Sequence, residues 1–139
     1  MSLTLTFPGG AAVDAHFKGF VVHTDQSVQH GGRGAAPEPF DLFLASLGTC
    51  AGLFALRFCQ QRGIDTTGLG VTLTPERNPE ANRLSAVRIE IQLPLGFPEK
   101  YREAIVRAAD QCTVKRHILE PPAFEVVAVV AGQVETVEA

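Results

Sequence analysis

Cysteine is scarce in this sequence, three residues in 139. Their positions, 50, 59 and 112, form neither the even set of a small disulfide-stapled secreted domain nor a zinc-finger spacing. Histidine is equally sparse: His16, His23, His30 and His117 show no HxxxH or similar spacing, so no metal site is expected. GxSxG, P-loop and GxGxxG patterns are absent. That removes the hydrolase elbow, nucleoside-triphosphate binding and dinucleotide binding, and no cofactor is expected. Charge is also thin, at 19% of residues with a net of −3. Without a basic tract or an aromatic-basic pattern, nucleic acid is an unsuitable partner. Residues 1–15 lack a basic start followed by an adequate apolar core, so no secretory leader is expected. Odd, unpaired thiols fit a cytoplasmic protein.

What the sequence does have is one long apolar run. PFDLFLASLGTCAGLFALRFCQQRG, residues 39–63, approaches membrane-spanning length. Asp41 and Arg57 lie within it and are costly in a bilayer, so it reads as a core helix and no membrane partner is expected. Pro39 suits the first helical position and Gly63 the C-terminal stop. Before it, LTLTF (3–7), AVDAHF (12–17) and FVVHT (20–24) alternate as strands around Pro-Gly-Gly and Lys-Gly turns. Residues 25–38 are a loop with three glycines between positions 31 and 34. After the helix, 69–75 and 84–94 read as a hairpin, and Pro98 opens a second helix through Cys112. Residues 124–132 read as a last strand. The order βββ-α-ββ-α-β is α+β with a mainly antiparallel sheet, in one domain spanning 1–139. A helix apolar nearly all round needs more cover than one such sheet gives, and an obligate dimer would supply it.

Cys50 lies mid-helix between Gly48 and Gly52, each costing the helix up to ~1 kcal/mol relative to alanine. On a helical wheel it shares a narrow polar stripe with Ser46, Arg57 and Gln61. Either packing or access to the sulfur could account for the small residues. Cys59 is out of phase with Cys50 and reads as packing. Cys112 ends the apolar face of the second helix, pointing toward the core. Arg33, the only arginine before the first helix, could fold over the cysteine, and Asp41 in the first turn could anchor it.

The stretch from Pro39 through Asp41, Leu42, Leu44, Ala45, Leu47 and Gly48 to Cys50 resembles the central helix motif of the OsmC/Ohr family. Cys112-Thr113-Val114 resembles the family's second motif. The resemblance implies an OsmC-like fold in which antiparallel sheets wrap long central helices in an intertwined homodimer. It also implies a thiol peroxidase acting on organic hydroperoxides. By that resemblance Cys50 is the peroxidatic thiolate, Cys112 resolves it as a disulfide, and an external dithiol regenerates the pair. The resemblance implies an activating arginine and acid; residues 1–30 hold no arginine, so Arg33 is matched to the first by neighbourhood and not by motif, and Asp41 to the second. The glutamate of the Ohr branch, ten residues before the cysteine, is Phe40 here, and Asp41 matches the OsmC-like branch instead. The alternative is a non-enzymatic small-molecule or lipid-binding dimer on the same fold.

Overall fold

The structure is a computed structural model that describes residues 1–132. Strands β1 (Thr4–Gly9), β2 (Ala12–Phe17) and β3 (Phe20–Thr24) form an antiparallel meander in the order β1-β2-β3. The β2–β3 turn is two residues, Lys18 and Gly19, with φ of 50° and 80°. Two consecutive positive φ values match the right-handed twist of a tight hairpin. Helix α1 (Pro39–Gln61) follows, then a second sheet, the antiparallel pair β4 (Gly70–Asn78) and β5 (Arg83–Gln92). Among the described residues there are thus two separate antiparallel sheets, of which the β4–β5 pair packs on the long helix.

Helix α1 begins and ends as its sequence requires. Glu38 and Asp41 form a capping box, with the Glu38 N–H donating to Asp41 Oδ2 at 2.9 Å. Gly63, just past the end, has φ of 64°, the left-handed conformation that stops a helix. One face of α1 carries the core: Ala55, Phe58 and Cys59 are buried against Ile105, with Ile64, Leu69, Ile91 and Phe97 packed around them. Cys59 is fully buried and serves as packing, as its phase implied.

Two expectations change, and one holds. The second helix is not continuous: a 3-10 turn leads into α2 (Arg102–Asp110), the chain breaks at Gln111–Cys112, and α3 (Thr113–Leu119) starts afresh. Cys112 therefore caps the start of α3 instead of ending α2, with φ −68°, ψ 119° and its Sγ accepting the Lys115 N–H at 3.3 Å. A residue in extended conformation cannot continue a helix, yet its side chain satisfies a first-turn donor. The last strand does not form among the described residues: Phe124–Val130 pair with no sheet and are exposed. A strand exists only where another edge meets its backbone, so alternation and apolar character alone do not make one. Finally, α1 is covered on one side only. Leu53 remains 43% exposed, and the β1–β3 sheet makes its principal contacts within itself.

Gly48 and Gly52 face β4. A methyl group at Gly48 would meet the Leu73 side chain at 3.7 Å, and one at Gly52 would meet Val71 at 3.9 Å. These are ordinary contacts, so neither glycine is demanded by packing inside this chain.

Candidate active site

The break between α2 and α3 is what assembles the site. By ending α2 before Cys112 and starting α3 after it, the chain aims the first amides of α3 at the middle of α1. The N–H groups of Val114 and Thr113 and the Cys112 thiol lie on the Cys50 side of this break and favour its ionised form. Burial acts against ionisation of Cys50 and is the largest single influence, but the three donors together outweigh it and hold the thiol below its ordinary value. Cys112 goes the other way. Burial pushes it up, and its role as donor to Cys50 keeps its own proton in place, against the opposing Lys115 N–H. Two chemically identical groups are thereby shifted in opposite directions, Cys50 toward easier and Cys112 toward harder ionisation. Both are free cysteines in the structure, Cys112 buried and Cys50 half-buried.

Arg33 and Asp41 are not brought to the sulfur. The groups that shift Cys50 are all neutral, and neither Arg33 nor Arg57 is among them. Asp41 is occupied by the helix cap. The Arg33 side chain is exposed, and its charge acts weakly on Asp25.

The sequence reading missed the two acids that order the Gly-rich loop. Asp25 is 3% exposed and accepts the N–H groups of Gln26 at 2.8 Å, Arg33 at 3.2 Å and Ala35 at 3.1 Å. The Gln26 and Ala35 bonds hold its carboxyl below the ordinary value. Glu38 accepts from His30 Nδ1 at 2.9 Å and from the Ser27 N–H at 3.0 Å, and its pKa is lowered to about 2. Together they tie the end of β3 to the start of α1, and so fix where that helix enters. The available signal was their bracketing of the loop, at positions 25 and 38. A loop with no side-chain acceptors of its own would leave its amides unpaired.

This loop gives a direct test. A Cβ at Gly32 would lie 2.0 Å from Gln26 O and 2.7 Å from Asp25 Oδ1. Neither backbone nor buried carboxylate can yield without breaking the Asp25 bonds. Gly32→Ala is therefore expected to destabilise the protein by roughly 1–3 kcal/mol, read as a lower urea midpoint.

An α+β scaffold that presents a polarised pair of thiols at a helix break defines a class of redox-competent cysteine proteins. Residues 31–127 match the OsmC-like protein family, and the chain belongs to that family. Among solved structures it is similar to a Psychrobacter arcticus 273-4 protein named for an osmotic stress induced and detoxification response. That match has 24% identity, covers 84% of this chain and 86% of the other, and has a TM-score of 0.71. It is also similar to a Legionella pneumophila protein named as an organic hydroperoxide resistance protein OsmC. Here identity is 21%, coverage 85% and 89%, and TM-score 0.55. At these identities the likeness establishes the fold. Among curated proteins, none matches the chain.

Proposed function

We propose that this protein is a cysteine-based peroxidase that reduces organic hydroperoxides. The Cys50 thiolate attacks the terminal oxygen of the hydroperoxide, the O–O bond breaks, and the alkoxide leaves and takes a proton to become an alcohol. Cys50 becomes a sulfenic acid. The Cys112 sulfur then attacks Cys50, expelling water and forming a Cys50–Cys112 disulfide. An external dithiol exchanges with that disulfide, is itself oxidised, and returns both thiols. A reducing, cytoplasmic compartment suits this cycle.

The observation that carries the reading is the placement of Cys112, at the start of α3, against Cys50 on α1, with the two thiols shifted in opposite directions. A protein that only bound ligands would have no use for that polarisation, which places the non-enzymatic binding dimer second. Asp41 enters as a positioning residue through the cap, whereas Arg33 contributes its backbone N–H to the loop. The test is thiol counting with mass mapping before and after one equivalent of cumene hydroperoxide. Loss of two thiols with a Cys50–Cys112 linkage and an intact Cys59 is expected, and persistence of all three would overturn the reading. The pH profile supplies a second check. Because the Cys50 thiol is lowered, its rate of alkylation by iodoacetamide should reach half-maximum below pH ~8.5, the midpoint of an ordinary cysteine. Ionisation of this group stabilises the fold above that ordinary value, and the contribution fades as pH falls through the lowered one.

A homodimer belongs to the same proposal. A folded monomer of 14.9 kDa exposes roughly 7,000 Å². This chain exposes 10817 Å², an excess of about 3,800 Å² over that scaling. A standard interface covers only about 800 Å² per partner, so the excess is of obligate-dimer size. Part of it lies on the β1–β3 sheet, where Phe7 is 78% and Phe20 64% exposed, and along Phe124–Val130.

A further inference from the structure

The resolving step needs the Cys112 sulfur to stay beside Cys50, and packing of α3 does little to keep it there. Cys112 lies in a two-residue break: Gln111 closes α2 with φ −78° and ψ 34°, and Cys112 opens α3 with φ −68° and ψ 119°. No residue of α3 itself is buried, and the helix it packs on is α1. Open space of about 550 Å³ adjoins the break, bordered by Phe54 of α1, by Asp110, Gln111 and Cys112, and by Lys115 and Leu119 of α3. A helix that borders a void on this scale takes little orientation from side-chain contacts, because dispersion acts only between atoms that touch.

One side-chain bond among the described residues joins α2 to α3. Lys115 Nζ, in the first turn of α3, donates to Oδ1 of Asp110, the last residue of α2. The backbone does not span the break: the Gln111 N–H returns to Ala108 O, and the Arg116 N–H goes to Cys112 O. Lys115 also donates its own N–H to Cys112 Sγ at 3.3 Å. It therefore holds the resolving residue through its backbone and the angle of the helix through its ammonium. The ammonium is not among the groups that shift either thiol, so what it offers the cysteines is position and not charge.

The two charges stand where helix stability alone would not put them. A carboxylate at the C-terminus of α2 and an ammonium in the first turn of α3 each oppose the local helix dipole. Exchanging them would suit both helices better, so the pair is accounted for by the link it makes across the break.

We propose that the Asp110–Lys115 ion pair is a clasp that sets α3 against α1, and that both are positioning residues for the resolving thiol. The proposal rests on the peroxidase reading and concerns its second half. There the Cys112 thiol attacks the sulfur of the Cys50 sulfenic acid, the S–S bond forms as the S–O bond breaks, and the oxygen leaves as water with the thiol proton. With the clasp open, α3 swings toward the void and the two sulfurs meet less often.

The experiment uses the full-length protein. Wild type, Lys115→Gln, Asp110→Asn, Arg116→Gln and the exchanged pair Asp110→Lys with Lys115→Asp each receive one equivalent of cumene hydroperoxide in a fixed concentration of dimedone. Mass spectrometry reads Cys50 trapped as sulfenic acid against Cys50 in the Cys50–Cys112 disulfide. Both products draw on the same sulfenic acid, so their ratio isolates the resolving step. Lys115→Gln and Asp110→Asn should each raise the trapped-to-disulfide ratio about fivefold, the scale of an exposed ion pair. Arg116→Gln removes the same charge from a neighbour with no ion pair among the described residues, and should leave the ratio unchanged. The exchanged pair should restore the wild-type ratio. Added salt should raise the ratio in wild type and not in Lys115→Gln. If Lys115 acted only on the stability of α3, Lys115→Gln would relieve the dipole and leave the ratio unchanged or lower. That outcome, an equal rise in Arg116→Gln, or an exchanged pair that behaves as the single variants overturns the proposal. Failure of the peroxidase reading shows separately, as unchanged wild-type thiols after cumene hydroperoxide. The clasp is then read with diamide, an azo oxidant that takes two electrons and two protons from the thiol pair. Disulfide formation should be about fivefold slower in Lys115→Gln than in wild type, and equal rates overturn the proposal.

Discussion

Cys50→Ser is expected to abolish hydroperoxide consumption, with a loss of at least about 10³-fold, the scale on which enzymes fall when their nucleophile is removed. Serine keeps the size and a hydrogen-bonding atom, so the amides of Thr113 and Val114 retain an acceptor and the fold should persist. Its hydroxyl does not ionise near neutral pH, and that is the property at issue. Cys112→Ser separates the two halves of the cycle. Serine is a preferred helix N-cap, so the start of α3, which now depends on the Cys112 sulfur accepting from Lys115, should be kept or improved. The first hydroperoxide should still be reduced, leaving a Cys50 sulfenic acid that dimedone traps and mass spectrometry locates. If Cys112→Ser instead behaved as Cys50→Ser, the two thiols would not have distinct roles. If Cys50→Ser retained wild-type turnover, the peroxidatic role of Cys50 would be wrong.

The second large effect concerns the C-terminal segment. Val126 and Val129 are 95% and 59% exposed, in a largely apolar stretch that pairs with no sheet among the described residues. A surface of this kind on a lone protomer is a liability, because an unpaired apolar segment is a template for association. In the proposed homodimer it is covered. Val126→Asp with Val129→Asp is expected to convert a particle of twice 14.9 kDa into one of 14.9 kDa by light scattering, with a lower melting temperature. Each change removes about 1.5–3 kcal/mol of side-chain burial and places a charge where the partner excludes water. A double variant that kept the mass and stability of the wild type would show that this segment is not an interface. Cys50→Ser should remain dimeric, so the two experiments report on chemistry and assembly independently.

Some of this was fixed by residue order. The meander, the long helix and the hairpin are local, set by alternation, by Lys18-Gly19, and by Pro39 with Gly63 at the two ends of α1. Each depends on neighbours within a few positions, so each was readable. Cys59 as packing followed from helical phase alone. The pairing of Cys50 with Cys112 was suggested by family resemblance, but how the two differ was not readable. That difference arises because the chain leaves α2 at Gln111 and brings Cys112 and the first amides of α3 toward a sulfur more than sixty residues earlier in the sequence. No local rule contains that contact. For the same reason Arg33 and Asp41 were singled out by their types and their position near the helix, while the structure uses Asp41 as a cap and orders the loop through Asp25 and Glu38. The expected strand at 124–132 had the composition of a strand and no edge to join. Local chemistry determines what a segment is able to become, and the tertiary structure decides which groups meet, because hydrogen bonds and desolvation act only between atoms that folding has brought together.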